Sequence, residues 1–135
     1  MRVRSGFSES AGTGTVLVLA SGALSGKNLR EMLRTAGYKT DVVSKDWDRC
    51  VLTGVQLAVL FSSEPYWRIE QICEICSAIR RNAPDLPVIA VGPNDVETKV
   101  RLFELGADDY LVESFDQAEL LARIRALIRR NKPRR

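Results

Sequence analysis

Four stretches of the sequence hold residue types that could do chemistry. In ELGADDYLVESF, the adjacent acids Asp108 and Asp109 stand at the head of a short apolar run, where two carboxylates can hold a metal or share a proton. Gly22, Gly26 and Lys27 in SGALSGKN suggest a phosphate-binding loop. Cys73 and Cys76 in CEIC suggest a redox or zinc pair, and Ser62 and Ser63 beside Glu64 suggest a hydroxyl nucleophile.

Three of the four weaken on inspection. A nucleotide-binding P-loop requires Gly, four residues, then Gly-Lys-Ser/Thr. Here three residues separate Gly22 from Gly26, Asn28 replaces the metal-ligating hydroxyl, and SGALSGKN reads as a flexible loop between a strand and a helix. Cys73 and Cys76 fall in the middle of a predicted helix, not at the helix N-terminus that activates a thiolate. With no His in the chain and only Cys50 besides, they cannot complete a four-ligand zinc site and read as reduced core residues. The same lack of His removes the usual base for Ser62 or Ser63.

The elements that must position these residues follow from apolar patterning. TVLVL (15–19), YKTDVV (38–43), VQLAVLF (55–61), PVIAV (87–91) and DYLV (109–112) read as strands. KNLREMLRTAG (27–37), a short SKDWDRCVLTG (44–54), Tyr66 to Ala83, Asp95 to Leu105 and DQAELLARIRALIRRN (116–131) read as helices, the fourth capped at Asn94 and stopped by Gly106. Buried apolar strands alternating with crossover helices imply an α/β fold, a parallel five-stranded sheet covered on both faces. Right-handed crossovers make it a doubly wound three-layer sandwich whose chemistry gathers at the carboxyl ends of the strands.

Length and composition fit one globular domain. Residues 1–14 read as a disordered tail, 15–131 as the folded domain and 132–135 as a basic tail or linker. No apolar run is long enough to span a membrane and the start lacks a secretory signal, so the expected location is cytoplasmic. Seven of the 20 basic residues and none of the 17 acids lie from Arg123 onward. A mildly acidic body with a basic end is not the charge pattern of a domain that wraps nucleic acid itself.

GADDYLVESF (106–115), followed by AELLARIRALIRR (118–130), resembles the last strand and helix of CheY-like receiver domains of the OmpR/PhoB type, the phospho-accepting modules of two-component response regulators. The resemblance extends over about residues 15–131 and implies a flavodoxin-like sheet of order 2-1-3-4-5. It also implies five functional positions, and all five are replaced. The acidic pair that binds Mg²⁺ reads Ala20 and Ser21. The phospho-accepting Asp is Phe61, the Thr/Ser is Gly92, and the Lys is Glu113. The resemblance therefore describes a pseudo-receiver with no catalytic residue, metal or cofactor, in which Tyr110 holds the aromatic switch position, locked in one rotamer.

On the fourth predicted helix, Val96, Val100 and Phe103 share one face with Lys99 beside them, while Leu102 and Leu105 take the opposite face. In the family this helix, the fifth strand and the fifth helix form a homodimer face. The resemblance sets Lys99 opposite Glu119 and Asp109 opposite Arg123 across a two-fold axis, pairs Arg125 with Asp108 or Glu104, and makes Val100, Phe103 and Ala122 the apolar centre. It implies a phosphorylation-independent signalling module that regulates transcription through a DNA-binding domain outside this chain. The competing reading is a nucleotide or small-molecule sensor using the strand-end crevice near Phe61.

Overall fold

A computed structural model describes residues 14–20, 23–43, 47, 52–62 and 68–131. The elements are β1 (Thr15–Leu19), α1 (Ala23–Thr35), β2 (Lys39–Val43), β3 (Val55–Phe61), α2 (Ile69–Asn82), β4 (Val88–Gly92), α3 (Val96–Glu104), β5 (Asp109–Val112) and α4 (Gln117–Asn131). All strands pair in parallel, and the five-stranded sheet has the order β2-β1-β3-β4-β5. The predicted topology is therefore the observed one.

The near-continuous apolar strands are explained by burial on both faces. Successive side chains of β1 alternate between two cores. Leu17 and Leu19 join Ile72, Ile75, Cys76 and Ile79 of α2 and Leu102 of α3 in one apolar cluster. Val16 and Val18 join Leu29 and Leu33 of α1 and Leu120 and Ile124 of α4 in the other. Cys73 and Cys76 are buried free thiols. Desolvation pushes both up, Cys76 to about 11, so neither is the thiolate that redox or metal chemistry requires.

Two helix starts differ from expectation. The first helix begins at Ala23, not Lys27, and carries Gly26 in its interior. A Gly there weakens a helix by about 1 kcal/mol, which is why the sequence suggested a loop. The cap of α3 is Asp95, not Asn94: its carboxylate accepts the Thr98 N–H at 3.2 Å. The Asp95 N–H bonds the Pro93 carbonyl at 2.9 Å, a turn that sets the cap one residue later. Of the short helix expected over 44–54, residues 44–46 and 48–51 lie outside the described residues, as do the predicted tails over 1–13 and 132–135. Among the described residues no helix is long and apolar enough to cross a membrane.

A clamp closes the amino-terminal ends of β4 and β5. Arg80 donates from Nη1 to the carbonyls of Pro84 at 2.6 Å and Leu86 at 3.0 Å, and from Nη2 to the Gly106 carbonyl and to Asp108 at 3.2 Å. Asp108 Oδ2 also accepts the Val88 N–H at 2.8 Å. Gly106 has φ +117°, and a Cβ there would sit 2.8 Å from Arg80 Nε. Gly106 thus ends α3 and leaves room for the guanidinium. Removing the donor strands several carbonyls, so Arg80→Ala is expected to cost about 1–3 kcal/mol in urea unfolding. Gly106→Ala should cost at least about 1 kcal/mol through its backbone alone. Wild-type midpoints for both variants would remove the clamp from the account.

Candidate functional site

The carboxyl ends of the strands lie side by side because the parallel ladder continues one residue beyond them. The Ala20 N–H bonds the Val43 carbonyl at 3.1 Å, Ser62 bonds Val91 at 2.9 Å, and Glu113 bonds Gly92 at 2.8 Å. These bonds bring Ala20, Phe61, Gly92 and Glu113 to one edge of the sheet, as predicted. Ser21 lies outside the described residues, as do Ser63 and Glu64.

Two of the side chains at this edge, Ala20 and Phe61, are hydrocarbon. Ala20 and Phe61 are buried. The Phe61 ring packs on Phe115 with centroids 5.9 Å apart and planes tilted by 49°, an attractive aromatic geometry. Phe115 is a contributor that the sequence did not single out, although it closes the quoted GADDYLVESF. Mg²⁺ requires carboxylate and other hard oxygen ligands. Buried Ala20 and Phe61 supply none, which leaves Glu113 as the one carboxylate among the four described positions, and these do not fit that ion. Among the described residues no three His, Cys, Asp or Glu side chains gather as a metal cluster.

Tyr110 is buried, and its hydroxyl donates to the Pro93 carbonyl at 2.6 Å. Gly92 makes this possible. A Cβ on Gly92 would lie 2.6 Å from the tyrosine oxygen and 3.4 Å from Cζ. Any larger residue competes with the inward ring for the same space. Burial pushes the Tyr110 phenol up to about 12, with Asp95 and Glu113 adding to the shift. Both charged neighbours are acids, so the local field opposes an arriving phosphoryl group. The hydrogen bond to Thr98 holds the Asp95 carboxyl below its usual range, keeping that charge in place.

The face formed by α3, β5 and α4 has a different character. Val96, Val100 and Phe103 are 71%, 47% and 43% exposed, while Leu102 on the opposite side of α3 is buried. Arg123 Nη1 reaches both oxygens of Asp109, at 2.9 and 3.1 Å, and Nη2 reaches Glu119 at 2.9 Å. Asp109, held by Arg123 and accepting the Tyr110 N–H at 2.8 Å, thus meets Arg123 within one chain, where the sequence reading set them across a two-fold axis. The two carboxylates raise the Arg123 pKa further, Asp109 contributing most. Lys99 is half-buried, Ala122 and Arg125 are exposed, and among the described residues neither Lys99 nor Arg125 forms an ion pair.

Asp108 has partners within its own chain. Its Oδ2 is engaged by Arg80 and by the Val88 N–H of its own chain at the amino end of β5. Arg80 itself went unnoticed in the sequence, because most of its acceptors are backbone carbonyls that no residue type announces.

No family model matches the chain. The transcriptional regulatory protein PcoR of Escherichia coli is 33% identical over 122 residues, covering 85% of this chain and 51% of that protein. Response regulator MprA of Mycobacterium leprae is 48% identical over 61 residues, 44% of this chain and 27% of that protein. The chain therefore aligns to about half of one relative and about a quarter of the other. Among solved structures, the receiver domain of the Francisella response regulator 1452 superposes with a TM-score of 0.76 at 23% identity, covering 88% of this chain and 99% of that one. That likeness establishes the shared fold.

Two measurements test the tyrosine pocket. Gly92→Ala is expected to lower stability by about 1–3 kcal/mol through overpacking, and by clearly less in a Tyr110→Phe background, where the struck oxygen is gone. Equal losses in the two backgrounds would place the ring elsewhere. In alkaline titration of the chain's three tyrosines, one tyrosinate should form late, near pH 12, and vanish in Tyr110→Phe. The folded state holds this proton more tightly than the unfolded chain. Its stabilisation is therefore complete below about pH 10 and is lost as pH rises through about 12.

Proposed function

We propose that this response-regulator receiver domain is a pseudo-receiver, a signalling module that works by protein association and not by phosphoryl transfer. The observation that carries the reading is Phe61, which stands at the expected acceptor position and is buried against Phe115. A phenyl group has no oxygen to take a phosphoryl group, and its packing occupies the space such a group would need. The inward Tyr110 over Gly92 supports the same reading, since the arrangement is complete without a modification to trigger it.

The associating surface in this reading is the face of α3, β5 and α4, used for a homodimer. Exposed Val96, Val100 and Phe103 supply apolar area that gains by leaving water. Beside them, Asp109, Glu119 and Arg123 form a cluster with two negative charges and one positive. That excess negative charge complements the unpaired Lys99 of a second copy, and a two-fold axis repeats the contact. The output is regulation of transcription through a DNA-binding domain attached to, or associated with, this one. PcoR, to about half of which the chain aligns, is by its name a transcriptional regulator.

Acetyl phosphate or a beryllofluoride mimic with Mg²⁺ is expected to leave mass, oligomeric state and melting temperature unchanged. A phosphoryl adduct would end the pseudo-receiver reading. In sedimentation, Phe103→Asp and Lys99→Glu should each shift the protein toward monomer, and Glu119→Lys should restore the dimer of the Lys99→Glu protein. An oligomeric state indifferent to Phe103→Asp would rule out this face.

A further inference from the structure

We propose that the exposed arginines of α4, with the basic run that continues from them, bind the phosphate backbone of duplex DNA without reading its sequence. The positive charge of this chain is segregated. Residues 1–122 hold 13 basic and 17 acidic residues, while residues 123–135 hold seven basic residues and no acid. Overall basicity does not explain a run of one sign on an acidic body, and the proposed dimer uses only Arg123 of it. All of α4 is described, so its faces are assigned residue by residue. Leu120, Ile124, Leu127 and Ile128 are buried and set its core face. Arg125, Arg129 and Arg130 are exposed. Arg125 and Arg129 lie about 40° apart around the helix and about 6 Å apart along it. A helix C-terminus attracts cations, but that effect fades within the last turn. It accounts for Arg129 and Arg130 and not for Arg125, which stands six residues before Asn131. Lys132, Arg134 and Arg135 follow in the sequence, outside the described residues.

The residue types select among anionic partners. Six of the seven basic residues are arginine, whose flat guanidinium donates two parallel hydrogen bonds to a phosphate. A membrane surface would instead require large apolar side chains beside the charges. Away from the core, the neighbours of Arg125 and Arg129 on α4 are Ala122 and Ala126, while Leu121 packs against the core. The segment 129–135, RRNKPRR, has no large apolar residue. Duplex DNA is the polyanion that a transcriptional output supplies, and in that choice the inference rests on the function proposed above. The acidic body confines the contact to this run, so the chain touches the duplex without wrapping it.

Fluorescence anisotropy of a mixed-sequence duplex of about 20 base pairs, titrated with the whole chain, tests the contact. At about 50 mM salt, half-saturation should fall at or below about 10 μM, because non-specific binding tightens as salt falls. Affinity should drop at least about sixtyfold between about 50 and about 200 mM salt, a logarithmic slope of about −3 that three or four phosphate contacts produce. Arg125→Gln with Arg129→Gln should weaken binding at least about tenfold and make the slope shallower by about 2. Should that variant fail to fold, Lys132→Gln with Arg134→Gln must do the same. Arg81→Gln, which removes an exposed arginine of α2, should leave both readouts unchanged. The proposal is overturned if vesicles of phosphatidylserine take up the chain while the duplex does not, if neither double variant changes the slope, or if Arg81→Gln weakens binding as much as either. A wild type that ignores the duplex, yet forms the dimer and takes no phosphoryl group, overturns this inference and leaves the function proposed above standing.

Discussion

Tyr110 turns its ring into the apolar layer and its hydroxyl to the Pro93 carbonyl, and the start of α3 is tied to that hydrogen bond. An unpaired phenol there would cost several times the value of an ordinary hydrogen bond. The Pro93 carbonyl accepts the proton, and the missing side chain at Gly92 clears the path. Two residues adjacent in sequence thus fix a third on a neighbouring strand. The ladder bond from Glu113 to Gly92 holds β4 and β5 in the register that permits it.

The strand ends carry the same logic further. A cluster of carboxylates needs a cation, and without one its members repel one another and raise each other's pKa. In the proposed pseudo-receiver, Ala20, Phe61 and the Phe61–Phe115 contact take the place of such a cluster and need no counter-ion. Burial of Phe61 stabilises by about 1.5–3 kcal/mol, where a buried unpaired acid would destabilise. On the proposed reading, structural stability and phosphoryl chemistry pull in opposite directions at this position, and Phe61 serves the first.

The sheet was legible in the sequence because burial on both faces leaves few polar residues in β1, β3 and β4. The opposed faces of α3 were legible too, since Leu102 and Phe103 differ by a simple angle around one helix. Contacts made by backbone atoms were not. Arg80 is held by the carbonyls of Pro84, Leu86 and Gly106, and nothing in those residue types signals an arginine. Of the ion pairs, Asp109 with Arg123 was anticipated from the family resemblance, but between two chains, while Arg80 with Asp108 and Arg123 with Glu119 were not. Asp109 and Arg123 are separated by 14 positions, and only the packing of α4 beside β5 decides that they meet within one molecule.

That internal pairing changes the physics of the proposed interface. An arginine free in solution loses side-chain entropy when a partner orders it. Arg123 is already ordered by Asp109 and Glu119, so an approaching copy meets a fixed charge pattern. The exposed strip of α3 is fixed in the same way. Tyr110 anchors Pro93, the Pro93 carbonyl receives the Asp95 N–H, and Asp95 caps the first turn, so one chain of hydrogen bonds sets the start of α3. Val96, Val100 and Phe103 project from a helix whose position depends on the inward tyrosine. A surface ordered before contact loses less on association, and it supplies a physical route by which Gly92, buried and remote from any partner, governs the proposed dimer.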